Sequence, residues 1–212
     1  MMKYNLHTHS FKNQKEVLEV VNQYPMSFNE KTPYFSIGIH PWYIKEEYIN
    51  KELKIIEDKL PLQNCLALGE CGLDKRIDIK LDFQIQVFEK QLELAKKYKK
   101  PLILHCVSAF QEIISIKKAM KIEEPIVIHG FSKNIQVAKS LLDNEFYLSF
   151  GKYLIRNPEL ASVFKYVPED RFFLETDTIE ETIEEVYNKA SIIKGKNVEG
   201  LIEANFMKVF QL

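Results

Sequence analysis

Cysteine is scarce in this chain, with three in 212 residues: Cys65, Cys71 and Cys106. An odd number with no close-spaced pair excludes a disulfide framework and a four-thiolate zinc site, so the three read as small buried residues. Glycine and proline are also few, at 7 and 8, and no repeat, low-complexity segment or Gly/Ser/Pro-rich linker divides the sequence. No stretch approaches the roughly 18 apolar residues of a membrane span. Met1 to His9 lack the apolar core of a signal peptide, which points to a cytoplasmic protein with no membrane partner. An excess of one charge is missing too. Lys and Arg total 29 against 30 Asp and Glu, a net charge of −1, which argues against a whole-surface electrostatic grip on nucleic acid. The densest basic run, Lys96-Lys97-Tyr98-Lys99-Lys100, falls where a helix should end, and cations there suit the helix dipole. No feature marks an obligate protein partner.

What is present is the composition of one globular domain, 46% hydrophobic and 28% charged, over residues 1–212. Short β-type runs fall at Tyr4 to His7, Tyr34 to Ile39, Cys65 to Gly69, Leu102 to His105, Ile126 to His129, Phe146 to Phe150 and Phe172 to Glu175. Helical patterns lie between them. Ile49, Leu53, Ile56 and Leu60 make one apolar stripe, and Ile85, Phe88, Leu92 and Ala95 another. From Phe11 to Pro33 the only pattern is a helical one, Val17 to Val21. Asn157-Pro158-Glu159 reads as a helix start, and Thr178 with Glu181 as a capping box.

Strands alternating with helices imply a parallel sheet, either open and doubly wound or closed into a barrel. A dinucleotide-binding sheet would carry a Gly-rich turn after its first strand. Here that strand runs into His7-Thr8-His9, and neither GxGxxG nor GxxxxGK[ST] occurs. The ionisable residues instead fall at the C-terminal ends of several strands, where barrels place their chemistry.

His7 and His9, spaced i, i+2 in an extended segment, point to one face and can grip one metal. His105 closes the apolar run Leu102-Ile103-Leu104, and His129 closes Ile126-Val127-Ile128. Four of the five histidines thus sit at strand ends, which packing alone rarely arranges. Glu70 follows Leu66 to Gly69, and Asp177 follows Phe172 to Thr176. Carboxylates there are costly to desolvate, and a divalent cation removes the cost. Imidazole with carboxylate suits zinc, manganese or iron. Glu175 shares the face of Asp177 by spacing but reads as half of a structural ion pair.

Taken in order, Asn5-Leu6-His7-Thr8-His9, Ser36-Ile37-Gly38-Ile39-His40-Pro41, Ala67-Leu68-Gly69-Glu70-Cys71-Gly72-Leu73-Asp74, Leu102-Ile103-Leu104-His105, His129-Gly130-Phe131-Ser132 and Leu174-Glu175-Thr176-Asp177 resemble the successive motifs of the TatD-type deoxyribonucleases, a family of amidohydrolase-like metal hydrolases. The likeness extends to Gln84 to Pro101 and to the closing Ala204 to Phe210. It implies a TIM-like (β/α) barrel that uses two divalent ions, zinc, magnesium or manganese, to hydrolyse DNA or a small phosphodiester. In the family pattern His7, His9 and Asp177 hold one ion and His105 and His129 the other. Glu70 lies between the two, and Asp177 serves as the proton acceptor. His40 stands where it can donate to a substrate phosphate, and Trp42 beside it can stack on a base.

The chain departs from the family at Asn5 (usually Asp), at Val107 (usually Arg), at Lys133 (usually Gly) and near Ile179 (usually Pro). Lys133 then offers the positive charge that Val107 does not, and Lys75 and Arg76 lie beyond a second ligand strand. The segment between His9 and His40 has room for one βα unit fewer, which implies a barrel of seven strands. Two other readings share parts of the pattern. The opening His-Thr-His-Ser also resembles polymerase-and-histidinol-phosphatase-type phosphoesterases, and the substitutions at Asn5, Val107 and Lys133 suit a barrel that binds metal without catalysis.

Overall fold

In the computed structural model, which describes residues 2–211, eight strands lie in one sheet in sequence order. They are β1 (Lys3–Thr8), β2 (Val17–Gln23), β3 (Phe35–Ile37), β4 (Cys65–Asp74), β5 (Leu102–Val107), β6 (Ile126–Ile128), β7 (Tyr147–Phe150) and β8 (Phe172–Leu174). The pairs β1–β2, β3–β4, β4–β5, β6–β7 and β7–β8 are parallel. The helices are α1 (Ile49–Lys59), α2 (Leu81–Tyr98), α3 (Phe110–Met120), α4 (Ile135–Leu142), α5 (Lys152–Arg156), α6 (Leu160–Tyr166), α7 (Ile183–Lys194) and α8 (Glu199–Phe210). The backbone of Asp177, just beyond β8, donates to the carbonyl of His7 at 2.9 Å and accepts from the N–H of His9 at 3.2 Å. The last strand is thereby tied to the first, and the sheet has eight strands.

This corrects the expectation of seven strands with one βα unit missing. The additional strand is β2, whose start, Val17 to Val21, has the spacing of a helix. Val17, Val20 and Val21 are β-branched and stiff at χ1, which favours the pleated conformation, and parallel pairing of Lys3 with Val17 and Tyr4 with Leu18 settles it. What this region lacks is helices. A loop joins β1 to β2, and only a 3₁₀ turn, Pro25–Ser27, lies between β2 and β3. The capping box also falls one turn later than expected: Thr182, with Glu185, caps α7.

The chain forms two compact units, residues 1–21 with 127–212, and residues 22–126. In the first unit α8 packs on β1 and β8 through an aromatic cluster, with Phe206 at 4.5 Å ring distance from both Tyr4 and Phe210. The Asn205 amide in α8 donates to the carbonyls of Glu169 and Phe172, which satisfies a buried polar side chain inside that cluster. Asn5 is also buried and uses both ends of its amide. It donates to Thr176 Oγ1 at 2.8 Å and accepts from the Thr176 N–H at 3.0 Å. The amide thereby links β1 to the end of β8 with both its donor and its acceptor.

In the second unit α2 packs against β4. Its buried stripe contains Gln84 and Gln91 beside Val87, Phe88, Leu92 and Ala95. Each glutamine clamps a strand end. Gln91 accepts from the N–H of Ile39 (2.7 Å) and donates to its carbonyl (3.2 Å); Gln84 does the same for Asp74, at 2.8 and 2.9 Å. Two buried amides seven residues apart therefore fix the backbone beside His40 and at Asp74.

Gly72 has φ +138°, and a Cβ there would collide with the carbonyl of His105 on β5. Gly72→Ala should therefore destabilise the protein by at least about 2 kcal/mol. Gly200 is open on all sides in α8, so Gly200→Ala should stabilise by about 0.5 kcal/mol. Urea unfolding of the two variants checks the contrast, and a Gly72→Ala chain as stable as the parent would contradict it.

Candidate metal centre

Within each unit the structure gathers strand-end residues into a donor cluster. In the first unit His7, His129 and Asp177 bring donor atoms within 4.8 Å of one another. His7 is fully buried at the end of β1, its ring 4.4 Å from that of His129 and 5.0 Å from that of His9. His9 Nε2 lies 3.5 Å from Asp177 Oδ1. Asp177 has a left-handed backbone, φ 54°, an arrangement aspartate tolerates better than most residues. That turn, held by the backbone bonds to His7 and His9, presents its carboxylate to both imidazoles.

His129 is oriented from behind. Glu175 Oε1 accepts from the N–H of Gly130 at 2.8 Å and sits 3.3 Å from His129 Nδ1. A carboxylate fixed by a backbone donor is suited to accept from Nδ1–H, the contact common to metal-ligating histidines. The basic partner of Glu175 is thus an imidazole.

In the second unit His40, Glu70 and His105 bring donor atoms within 4.8 Å of one another. Asp74 plays for His105 the part that Glu175 plays for His129. Its Oδ2 lies 3.2 Å from His105 Nε2 and accepts from Trp42 Nε1 at 2.8 Å, while Oδ1 accepts from the Arg76 N–H at 2.8 Å. Burial works to raise the Asp74 carboxyl, but the bonds from Trp42, Arg76 and His105 together hold it below the usual range. His105 Nδ1 faces Glu70 Oε1 at 3.1 Å; in the tautomer whose Nε2–H donates to Asp74, the Nδ1 lone pair meets that carboxylate. Two acceptors facing each other at that distance suit a cation shared between them, so these residues fit a divalent metal.

His40 also meets Glu70. The Trp42 N–H donates to His40 Nδ1 at 3.1 Å, so the neutral ring carries its proton on Nε2, which meets Glu70 Oε1 at 3.0 Å. In this tautomer His40 donates to the carboxylate and orients it, with no lone pair left for a metal. The Glu70 N–H in turn donates to Asn22 Oδ1 at 2.8 Å.

Within the units, the structure places His129 with His7 and Asp177, and His105 with Glu70 and His40. Lys133 lies half-buried in the loop that leads from His129 to α4. Lys75 pairs with Glu112. Sequence reasoning passed over Asp74, Gln84 and Gln91 as site residues, and passed over Lys152, whose Nζ in α5 stands 3.4 Å from Asp177 Oδ2. The signal for the glutamines was visible as two amides on the apolar stripe of α2. Lys152 carried none, because a lysine in a short helix looks like any surface charge. All three cysteines are buried, and burial pushes the Cys65 thiol up to about 12.

Strands that end in carboxylate-oriented histidines define a (β/α) protein of the metal-binding kind. More narrowly, the chain belongs to the TatD-related DNase family, whose model matches residues 2–211. It is 33% identical over 148 residues to an uncharacterized metal-dependent hydrolase of Buchnera aphidicola subsp. Baizongia pistaciae (strain Bp), covering 68% of this chain and 55% of that protein. It is 33% identical over 156 residues to the 3'-5' ssDNA/RNA exonuclease TatD of Rahnella sp. (strain Y9602), covering 66% of this chain and 55% of the other. The chain thus spans a little over half the length of such curated relatives. The crystal structure of YJJV, a TatD homolog from Escherichia coli k12, superposes with a TM-score of 0.83 at 19% identity over 99% of this chain and 98% of that one.

If Asp74 orients His105 for a cation, Asp74→Asn should weaken divalent-metal binding by about 10- to 100-fold. Calorimetric titration with zinc and manganese measures it. Unaltered affinity in a folded Asp74→Asn chain would remove Asp74 from the site.

Proposed function

We infer that the protein is a metal-dependent phosphodiesterase acting on DNA or a small phosphodiester. The observation that carries this reading is the matched pair of carboxylate-oriented histidines, Asp74 with His105 and Glu175 with His129, each beside an acidic donor at a strand end. His7, His9, His129 and Asp177 would hold one divalent ion, and Glu70 with His105 a second; zinc, magnesium and manganese all suit these donors. Such ions, when bound, supply hydroxide near neutral pH and polarise a phosphoryl oxygen.

The remaining work falls to the side chains. Asp177 takes a proton from the attacking water at its carboxylate. His40 donates from Nε2 to Glu70 and keeps that carboxylate turned toward His105. Lys152, within 3.4 Å of Asp177, and Lys133, in the loop after His129, offer ammonium groups to a substrate phosphate; lysine binds phosphate as a point charge. The Rahnella relative, a 3'-5' ssDNA/RNA exonuclease, supports a nucleic-acid substrate. Three buried cysteines, held as thiols, go with a reducing, cytoplasmic setting.

On this reading a chelator abolishes hydrolysis of single-stranded DNA and of a chromogenic phosphodiester, and added manganese or zinc restores it. Mass spectrometry under native conditions should find two ions per chain and one in His105→Ala, while Glu70→Gln should lower kcat at least about 100-fold. Activity that survives the chelator, or unchanged metal content in both variants, would overturn the assignment.

The two lysines give a separate expectation. Lys152→Ala and Lys133→Ala should each raise KM several-fold with a smaller change in kcat, and KM should rise with added salt. Steady-state kinetics at two ionic strengths test this. Salt-independent kinetics would point to a substrate held otherwise than through its phosphates.

A further inference from the structure

We propose that Trp42 is a stacking platform for a nucleobase next to the second unit's donor cluster, an inference that rests on the phosphodiesterase reading and names the part of the substrate recognised there. Trp42 is the only tryptophan in the chain, and it is 53% exposed. An indole left half in water forfeits much of its apolar burial. This one is nevertheless held rigidly. Its Nε1 donates to Asp74 Oδ2 at 2.8 Å, and its backbone N–H donates to His40 Nδ1 at 3.1 Å. It sits in a 3₁₀ turn, Pro41–Tyr43, which begins at a proline and is capped by His40 itself.

The same bonds locate the ring relative to the cluster. Its centroid lies 5.1 Å from the His40 ring and 5.6 Å from the His105 ring, at steep angles of 84° and 77° to them. The imidazoles therefore meet the indole edge to face and do not stack flat upon it. Asp74, which orients His105, is the atom-level tie: one carboxylate oxygen fixes both the candidate ligand and the indole. A flat aromatic surface pre-oriented in this way costs a ligand little ordering entropy.

The occupant follows from chemistry. A nucleotide whose phosphate lies at the His105 and Glu70 end of β4 and β5 carries its base on the adjoining sugar. Every base presents a π-face, so one indole serves any sequence. Specificity for a strand with bases, with no preference among them, is the expected behaviour.

The lone tryptophan makes the test direct. The metal-loaded protein is titrated with a phosphorothioate oligodeoxynucleotide that resists cleavage, and with an abasic strand of equal length and charge. The base-bearing strand should quench indole emission and bind roughly ten-fold more tightly than the abasic one. In Trp42→Ala that ratio, read by anisotropy of a labelled strand, should fall to about one; in Trp42→Phe, which keeps a ring but loses the bond to Asp74, most of it should remain. Equal binding of the two strands by the parent protein overturns the proposal. So does a Trp42→Ala chain that preserves the ratio. A parent protein that cleaves neither ordinary strand with metal present refutes the phosphodiesterase reading instead, and the binding ratio still decides the role of Trp42.

Discussion

The site depends on one kind of contact, a buried carboxylate that is itself pinned by a backbone N–H and faces a ring nitrogen of a strand-end histidine. Asp74 is pinned by Arg76 and faces His105; Glu175 is pinned by Gly130 and faces His129. Each carboxylate alone would be expensive to bury, and each imidazole alone would be free to choose its tautomer. Together they fix which nitrogen bears the lone pair. His40 shows the same logic in reverse, since the N–H of Trp42 occupies Nδ1 and commits Nε2 to donating.

The scaffold serves this requirement with polar groups placed in otherwise apolar packing. Gln84 and Gln91 take core positions on α2 because each closes both hydrogen bonds of a strand-end peptide. Asn5 and Asn205 do comparable work in the other unit, joining β1 to the end of β8 and α8 to the β8 segment. An unpaired buried amide costs about 1–3 kcal/mol. These four side chains therefore hold the backbone that carries the site together with the packing of the surrounding Phe and Leu.

Much of this was legible in the sequence. Histidines that end hydrocarbon runs, and acids that follow strands, revealed the donors because such residues have few other reasons to lie there. The strands β1 and β3 to β8 were recognisable from β-type runs, and α1 and α2 from apolar residues at helical spacing. The strand β2 was not. Val17 to Val21 offers apolar residues at positions common to a helical and an extended pattern, and only pairing to β1 separates the two.

What the sequence determined by itself was the chemistry available and its place at strand ends, because side-chain type and local periodicity are properties of neighbouring residues. The tertiary structure alone decided the partners. Asp74 meets His105 from 31 positions away and Glu175 meets His129 from 46, and tautomer, orientation and the pinned exposure of Trp42 follow from those meetings. Lys152 joined Asp177 in the same way. No local pattern encodes which imidazole a carboxylate will face, since that is set by the register of adjacent strands and by the helices that clamp their ends.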